Sequence, residues 1–499
     1  MLAEWGKISS REILTAVKGR MISGNPQTRF TGFSSDSRTT NNGELFWALK
    51  GDQFDGHDFV SRAIKQGAFG VVVQEGFRTS LEYKPQIVVI AVDNSLKALG
   101  DLAAWWRRQH KAKVAAITGS SGKTTTKEMT AGILQMGNKT LKNQGNHNNL
   151  IGLPVTLLKL KKDHQRAVLE MGMNRRGEIA RLTEIANPDV GVILNVGMAH
   201  LEGLGDMDGV AKAKTELMDK LSPQAQIVLN GDDDVLMKHA ARFNKKFITF
   251  GLEKRNRIRG INIKDCGIEG MRFDLTCEGN IWPIRLGVSG VHNVKNALAA
   301  AAIGLCLNEP PEHIVKGLGV FTGVKGRFQK ISLKNDILLI DDTYNANPSA
   351  LQAALISAAA LARKDGQFLV ALGDMLELGE AAVSAHREAG GRVARAGASW
   401  LFAMGTYADH MKDGALSAGM SDKRIVIVET HDEMTAKIIQ KLKSKDMIFL
   451  KGSRKMQFEK VSEGLQRTEV GRRKTEGGRQ RTEDRGQRAE DRGQKTEDG

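Results

Sequence analysis

"AAITGSSGKTTTKEM", residues 115–129, predicts a buried strand, a sharp turn rich in glycine and serine, and a helix that begins directly after it. Such glycines let the backbone approach an anion closely, and the helix presents its N–H groups and positive end to it. We expect Lys123 to reach the terminal phosphates of a nucleotide and the Thr124 hydroxyl to contact Mg²⁺. Because the spacing G-S-S-G-K-T is shorter than the common G-x4-G-K-[ST] pattern, the prediction depends on the flanking strand and helix.

Strands and helices alternate along most of the chain. Strands are predicted at 43–51, 68–75, 114–118, 167–171, 190–196, 226–230, 336–341, 368–374, 400–405, 424–429 and 446–453. A helix is predicted at 55–67, and the apolar stretches 297–307 and 351–362 are typical of buried helices. This alternation favours an α/β fold with mostly parallel sheets covered on both faces.

The chain is long enough for several domains, since 499 residues correspond to three domains of roughly 150 residues each. A basic, glycine-rich stretch at 322–331 marks a junction. The predicted division is 1–110, 111–323 and 324–465, followed by a tail at 466–499. The tail is charged and lacks an apolar stripe, so we expect it to be disordered and assign it no function.

Composition and charge narrow the class of protein. The sequence is 41% hydrophobic and 26% charged, as in ordinary soluble globular proteins. No apolar run approaches the roughly 18 residues of a membrane span, and the start lacks an apolar signal core, so a cytoplasmic protein is expected. The three cysteines show no metal spacing and are expected to be free thiols. The net charge of +16 is spread along the chain, which favours a solvated surface or anionic small substrates over nucleic acid.

Candidate cation ligands follow two of the predicted strands. Glu170 ends one strand and His200 follows another, so both belong at the sheet edge that holds the phosphate loop. A carboxylate and an imidazole near a triphosphate suggest a second metal ion. Lys212 and Lys214 come next in the sequence, and a charged lysine would be repelled by metal ions. A solvated helix face therefore remains open for both lysines.

Several motifs together resemble those of the Mur ligases. They are "TGSSGKTTTKEM" (118–129), "GNHNNLIGLPVTLL" (145–158), "EMGMNRRGEI" (170–179), "AHLEGLGDMDGVAKAKTE" (199–216), "GVHNVKNALAAAA" (290–302), "DDTYNANPSA" (341–350) and "LGDMLELGE" (372–380). The similarity runs in order from about residue 10 to about residue 465. The "DDTYNANP" and "GNHNNLIGLP" forms resemble the family member that adds D-alanyl-D-alanine rather than the member that adds the third residue.

The resemblance implies a fold and a reaction. It implies an N-terminal domain that binds the uridine nucleotide, a central phosphate-loop ATPase domain and a C-terminal Rossmann-like domain. It also implies ATP and two Mg²⁺ ions, and UDP-N-acetylmuramoyl-tripeptide and D-alanyl-D-alanine as substrates. The γ-phosphoryl group would activate the tripeptide carboxylate as an acyl phosphate, which the dipeptide amine attacks during synthesis of the peptidoglycan precursor. No nucleic-acid partner and no membrane span are expected, and a monomer is assumed.

The resemblance further implies roles for single residues. Lys214 would be carbamylated by CO₂, which turns a cation into an anion that can help to hold Mg²⁺. With it, the metal ligands would be Thr124, Glu170 and His200. The nucleotide would contact Gly119, Ser120, Ser121, Gly122, Lys123, Thr124, Thr125, Asn293, Asn296 and Asp342, the last at the ribose. Arg327 would be brought onto the phosphates by domain closure, Ser37 and Arg38 would contact UDP, and Asn146 and Asn149 would lie near the muramoyl group.

Three alternatives stay open at this stage. A sister ligase or a folate polyglutamate ligase would differ in its acceptor amine. A nucleic-acid-dependent ATPase would need a nucleic-acid motif, and the sequence has no recognised one. A non-catalytic nucleotide-binding scaffold would not need Glu170, His200 and Lys214. The sequence does not determine the third residue of the peptide (lysine or diaminopimelate), the dipeptide contacts, the oligomeric state or the purpose of the tail.

Overall fold

A computed structural model describes residues 5–51, 54–77 and 86–468. The chain forms two compact units. The first contains Met1–Asp265, Met271–Gly287 and Val291–Phe321, and the second contains Cys266–Gly270, Val288–Gly290 and the chain from Thr322. Residues 466–468 of the predicted tail end a helix over 459–468, and residues 469–499 lie outside the described residues.

The first unit begins with a small sheet. Within the described part of residues 5–110, its strands are β1 (Arg20–Ser23), β2 (Gly32–Ser34), β3 (Glu44–Trp47), β4 (Gly70–Gln74) and β5 (Val88–Val92). Their order is β1-β5-β4-β3-β2, with β1 antiparallel to β5 and the other neighbours parallel. The helices are α1 (Ser10–Val17), α2 (Val60–Lys65) and α3 (Ser95–Arg108).

The phosphate-loop stretch lies in a larger sheet of the same unit. Its strands are β6 (Lys113–Thr118), β7 (Thr140–Lys142), β8 (Arg166–Glu170), β9 (Val190–Ile193), β10 (Gln226–Asn230), β11 (Ile248–Gly251), β12 (Ile258–Asp265), β13 (Met271–Cys277) and β14 (Asn280–Leu286). The order is β14-β13-β12-β11-β10-β9-β6-β8-β7, parallel from β7 to β12 and antiparallel from β12 to β14. The helices are α4 (Lys123–Leu134), α5 (Gly152–Leu157), α6 (Glu178–Ala186), α7 (Leu201–Leu204), α8 (Met207–Lys220), α9 (Asp234–Ala240), α10 (Val291–Cys306) and α11 (Pro311–Gly319).

Helix α3 joins the two sheets of the first unit into one hydrophobic core. Trp106 on α3 is buried, stacks on Trp5 with 4.8 Å between ring centroids, and donates from Nε1 to the Leu160 carbonyl at 3.1 Å. The neighbouring Arg107 is also buried, and its Nε donates to the Ala186 carbonyl at 3.1 Å. These contacts run from α3 to the loops and helices around the large sheet. Residues of both sheets therefore belong to one hydrophobic core.

The second unit contains one more sheet. Within the described part of this unit its strands are β15 (Gln329–Ser332), β16 (Leu338–Asp342), β17 (Phe368–Gly373), β18 (Trp400–Met404), β19 (Ile425–Val428) and β20 (Met447–Lys451). The order is β15-β16-β20-β17-β18-β19, with β15 antiparallel and the other strands parallel. Its helices are α12 (Pro348–Leu361), α13 (Ala382–Arg395), α14 (Ala408–Ser417), α15 (His431–Lys441) and the helix over 459–468.

The α/β class and the predicted strands are confirmed, with local differences and several additional strands. The helix predicted at 55–67 is split into a 3-10 turn at Gly56–Phe59, which the Asp55 side chain caps, and α2. The His57 ring in this turn accepts a hydrogen bond from the Gln74 N–H. The strands that were not predicted are the antiparallel β12–β14 and also β1, β2, β5, β7, β11 and β15. Helix α12 buries one face only, since Ile356 is 65% exposed. The division at residues 110, 323 and 465 stays a prediction.

No helix within the described residues is long and apolar enough to cross a membrane. The longest one, α10, has 16 residues, whereas a span needs about 20. Its apolar face is buried in the first unit, where Ala297, Leu298 and Ile303 are fully inaccessible to solvent.

Replacing Trp106 by alanine should lower the free energy of unfolding by about 3–5 kcal/mol, because it removes a buried ring and leaves a cavity between the two sheets. Urea denaturation followed by circular dichroism measures this change. The control is Leu96→Ala on the same helix, whose side chain is 37% exposed and whose loss should cost less than about 1 kcal/mol. Equal losses in the two variants would contradict the role of α3 as the shared core element.

Candidate functional site

The turn between β6 and α4 requires glycine at its last position. Gly122 is the N-cap of α4 and has φ +81°. A Cβ added there would lie 2.3 Å from Oδ1 of Asn296. Both the left-handed backbone and the missing side chain are therefore needed. The first turn of the twelve-residue α4 begins directly after this glycine, so its N–H groups and positive end are available to an anion.

The segment after β9 fixes the rest of the loop. The Ser121 N–H donates to Asn195 Oδ1 at 2.9 Å, and Asn195 Nδ2 donates back to the Ser121 carbonyl at 3.1 Å. Ser120 Oγ donates to the Gly197 carbonyl at 3.0 Å and accepts from the Gly197 N–H at 2.8 Å. These contacts hold the loop against the segment after β9. Sequence reasoning missed Asn195, which lies just beyond the end of β9.

Lys123 opens α4, and its side chain bends back over the loop. Its Nζ donates to the Gly119 carbonyl at 2.7 Å. The ammonium therefore lies beside the same backbone turn whose N–H groups we expect to bind phosphate. Thr125, also predicted at this site, is half-buried in the first turn of the helix.

The Thr124 hydroxyl meets the carboxylate that ends β8. Thr124 Oγ1 donates to Glu170 Oε2 at 2.9 Å, and both residues are buried. Asn148 Nδ2 donates to the other carboxylate oxygen, Oε1, at 2.8 Å. The Glu170 backbone is held as well, because its N–H donates to Asn143 Oδ1 at 2.9 Å. Thr124 and Glu170, which were predicted from different motifs, are in contact in the structure. Sequence reasoning missed Asn143 and Asn148, which contact Glu170.

This pair fits Mg²⁺ in its chemistry. A hydroxyl oxygen and a carboxylate oxygen are the hard donors that Mg²⁺ prefers, and in nucleotide sites phosphate oxygens and waters complete the shell. Among the described residues, no group of three or more histidine, cysteine, aspartate or glutamate side chains is arranged to hold a metal ion. Thr124 and Glu170 would therefore be two of the several oxygen ligands that Mg²⁺ needs.

The two lysines of α8 differ sharply in their surroundings. Lys212 is exposed and pairs with Asp208 at 2.6 Å, one helical turn away. Lys214 is 2% exposed, and burial, followed by the positive charge of Lys123, holds its pKa well below the ordinary lysine value. The open alternative of a solvated helix face applies to Lys212 and not to Lys214.

His200 lies beyond the carboxyl end of β9 and begins α7. It is half-buried and has a left-handed backbone with φ +58°, an uncommon conformation for a residue other than glycine. Its predicted part in metal binding stays a prediction.

Two asparagines of α10 lie beside the phosphate loop. Asn296 Oδ1 accepts from Thr126 Oγ1 at 3.4 Å, and Asn296 Nδ2 donates to Asn293 Oδ1 at 3.2 Å. Both asparagines are buried. They are therefore next to α4, as the expectation of a nucleotide contact requires.

The segment 143–149 carries the two residues predicted near the muramoyl group. Asn146 is exposed, and Asn149 is exposed with its Oδ1 accepting from the Gly152 N–H at 2.8 Å at the start of α5. Asn143 is fully buried, and its Nδ2 donates to the His147 carbonyl at 2.8 Å. Since Asn143 and Asn148 both hold Glu170, this segment is attached directly to the candidate metal ligand.

The residues predicted to bind UDP follow β2. Ser37 is buried, and Arg38 is exposed and forms an ion pair with Asp36 at 2.7 Å. The side-chain hydrogen bond from Arg38 lowers the pKa of Asp36 to about 2. Exposed ion pairs of this kind stabilise a fold only slightly. The UDP contacts of Ser37 and Arg38 stay a prediction.

Arg327 and Asp342 lie in the second unit. The Arg327 guanidinium lies 3.9 Å from the centroid of the Tyr344 ring. Asp342 is buried, accepts from the Phe328 N–H at 3.1 Å, and pairs with Lys451 at 2.5 Å. Burial lowers the pKa of Lys451, against the attraction of Asp342. Sequence reasoning missed Lys451, and the ribose contact of Asp342 stays a prediction.

Models of three known domain families match the chain in order. They are the Mur ligase family, catalytic domain, at residues 29–107, the Mur ligase middle domain at 117–304, and the Mur ligase, glutamate ligase domain, at 326–454. A UDP-N-acetylmuramoyl-tripeptide–D-alanyl-D-alanine ligase of Bacillus subtilis (strain 168) is 33% identical over 462 residues, which are 92% of this chain and 98% of the relative.

Solved structures agree with the sequence relatives. MurF from Acinetobacter baumannii is similar with a TM-score of 0.83 and 34% identity, over 93% of this chain and 99% of the neighbour. MurF ligase from Thermotoga maritima, solved in complex with ADP, is similar with a TM-score of 0.78 and 28% identity, over 88% and 98% of the two chains. With three matching domain models in order and full-length relatives, the chain belongs to the Mur ligase family.

Proposed function

We propose that this chain joins D-alanyl-D-alanine to the terminal carboxylate of UDP-N-acetylmuramoyl-tripeptide, with ATP as the energy source. The product would be the UDP-muramoyl-pentapeptide precursor of peptidoglycan. The observation that carries the proposal is the phosphate loop beside a buried threonine–glutamate pair, in a chain whose full-length relative bears this activity in its name. We place the reaction in the cytoplasm, where ATP and the soluble precursor are available.

The first chemical step brings two anions together. The tripeptide carboxylate attacks the γ-phosphorus of ATP, forms an acyl phosphate and releases ADP, so neutralising charge is the main task of the enzyme. The first turn of α4 and Lys123 would bind the phosphates, and Thr124 and Glu170 would hold Mg²⁺. When bound, Mg²⁺ neutralises phosphate charge and orients the oxygens. We propose that Arg327 adds positive charge at the phosphates.

The second step needs no protein nucleophile. The amine of D-alanyl-D-alanine attacks the acyl carbon, and the tetrahedral intermediate collapses to an amide with release of inorganic phosphate. The chain's contribution is therefore to position its substrates. We propose that Asn293 and Asn296 hold the nucleotide and Asp342 its ribose, that Ser37 and Arg38 hold UDP, and that Asn146 and Asn149 hold the muramoyl portion.

We also propose that Lys214 is carbamylated. Only an uncharged amine attacks CO₂, and burial beside the charge of Lys123 favours that form. The Nζ atom forms a bond to the carbon of CO₂ and loses one proton, so the side chain becomes an anion. With His200, this carbamate would hold the second Mg²⁺. The charged lysine would repel a metal ion, whereas the carbamate attracts it.

The decisive assay measures phosphate release with ATP, Mg²⁺ and UDP-N-acetylmuramoyl-tripeptide, with and without D-alanyl-D-alanine. Release that requires the dipeptide, together with a pentapeptide product found by mass spectrometry, is the expected result. Tripeptides ending in lysine and in diaminopimelate are compared in parallel to identify the third residue. Turnover with a single amino acid in place of the dipeptide would assign the chain to a different branch of the family.

Lys123→Ala and Glu170→Ala should each abolish turnover, because each removes charge that faces the phosphates or their metal ion. The control Glu184→Ala removes an exposed carboxylate that pairs with Lys220 on the helix surface, and it should leave turnover near that of the native chain. Retention of more than about a tenth of the activity by either site variant would contradict the roles given to Lys123 and Glu170.

Lys214→Ala should also abolish turnover, and a small carboxylate such as acetate should restore part of it by replacing the missing anion. Lys212→Ala is the matched control from the same helix and should remain active. Carbon-13 NMR of the native protein under labelled CO₂ should show a carbamate signal that the Lys214 variant lacks. A signal that survives in the variant would assign the modification to another amine.

A further inference from the structure

Lys127 is a buried charge that the proposed reaction does not use. It lies on α4, three residues after Thr124, and its side chain is completely inaccessible to solvent. Residues three positions apart share one face of a helix, so Lys127 lies on the same side of α4 as the threonine that contacts Glu170. Burying an ammonium group costs free energy unless the group is paired. The partners of Lys127 therefore indicate which part of the site it acts on.

Three oxygens surround the Lys127 ammonium. Its Nζ donates to the Asn143 carbonyl at 2.8 Å, lies 3.2 Å from Glu128 Oε1, and lies 4.0 Å from Glu170 Oε2. Glu128 is paired on its other oxygen with Lys142. The Lys127 ammonium is thus anchored by the segment after β7 and by its neighbour on α4, and the distance to Glu170 is too long for a hydrogen bond.

The same oxygen of Glu170 faces Thr124 and Lys127. Oε2 accepts from the Thr124 hydroxyl at 2.9 Å, so a metal ion held by these two groups would lie near a fixed positive charge. Glu128, the acidic side chain nearest to Lys127, offsets that repulsion only in part, because its other oxygen is paired with Lys142. Nucleotide phosphates would supply the missing negative charge. Without them, the ammonium opposes metal binding.

We propose that Lys127 makes metal binding at Glu170 conditional on bound nucleotide. This inference depends on the proposed Mg²⁺ site at Thr124 and Glu170. The buried ammonium partly neutralises the carboxylate, so the site takes up the metal only together with the phosphates. Lys127 is a positioning residue, since it acts on the metal through its charge and its own contacts are to Asn143, Glu128 and Glu170.

The test replaces Lys127 with methionine, which removes the charge and keeps most of the volume. Mn²⁺ serves as the probe, and electron paramagnetic resonance of the free ion measures binding with and without ADP. We expect the native protein to bind Mn²⁺ at this site only with ADP, and Lys127→Met to bind it without nucleotide at least about tenfold more tightly than the native protein does. The added Glu170→Gln substitution should remove the gained site.

Lys142→Met is the matched control, because it removes a charge from the same cluster at a position that contacts Glu128 instead of Glu170. It should leave nucleotide-free binding unchanged. Unchanged or weaker nucleotide-free binding in Lys127→Met would overturn the proposal, and so would equal Mn²⁺ affinity of the native protein with and without ADP. The comparison of Mn²⁺ affinity with and without ADP uses the native protein, so it tests the proposal even if the variant does not fold.

Failure of the metal site itself gives a different pattern. If the native protein binds no Mn²⁺ that depends on Glu170 even with ADP, the proposed Mg²⁺ site and this inference are both overturned. If binding with ADP depends on Glu170 but Lys127→Met changes nothing, only the inference about Lys127 is overturned.

Discussion

The parallel pairing of β6 with β8 is the constraint on which the candidate site depends. The register sets Ile117 opposite Glu170, so the last residues of the two strands reach the same edge of the sheet together. The loop that follows β6 then returns α4 toward that edge, where the Thr124 hydroxyl meets the Glu170 carboxylate. A register shift of one residue would turn Glu170 to the opposite face of the sheet and separate the pair.

The buried ionisable side chains near this pair differ in how the cost of burying a charge is met. Glu170 and Lys127 are both buried and keep polar partners, from Asn148 and Thr124 on one side and from Asn143 and Glu128 on the other. Lys214 has no ion pair within the described residues, and its pKa is instead held well below the ordinary value. Such partners offset the cost of burying a charge, whereas burial of an amine without an ion pair favours its neutral form.

Much of the fold could be predicted because it is local. The alternation of strands and helices predicts mostly parallel sheets, and the strands from 114–118 to 446–453 are found at or near their predicted positions. The antiparallel strands β12–β14 were missed, since strands with many exposed residues, such as Asn280–Leu286, have a weak hydrophobic pattern. The prediction of a helix at 55–67 was wrong at its start, where Asp55 caps a 3-10 turn and His57 contacts Gln74, which is distant in the sequence.

The sequence by itself determined the strand–turn–helix of the phosphate loop, since glycine at position 122 and the residue pattern around it act over a few neighbours. It also determined the family, through motifs that extend over most of the chain. Only the tertiary structure decided which lysines are buried and what they face. Lys127, Lys212 and Lys214 all lie on helices, and helical periodicity gives a face but not what packs against it. Lys212 pairs with Asp208 on its own helix, whereas the burial of Lys127 and Lys214 depends on elements distant in the sequence, such as the segment after β7 whose Asn143 carbonyl accepts from Lys127.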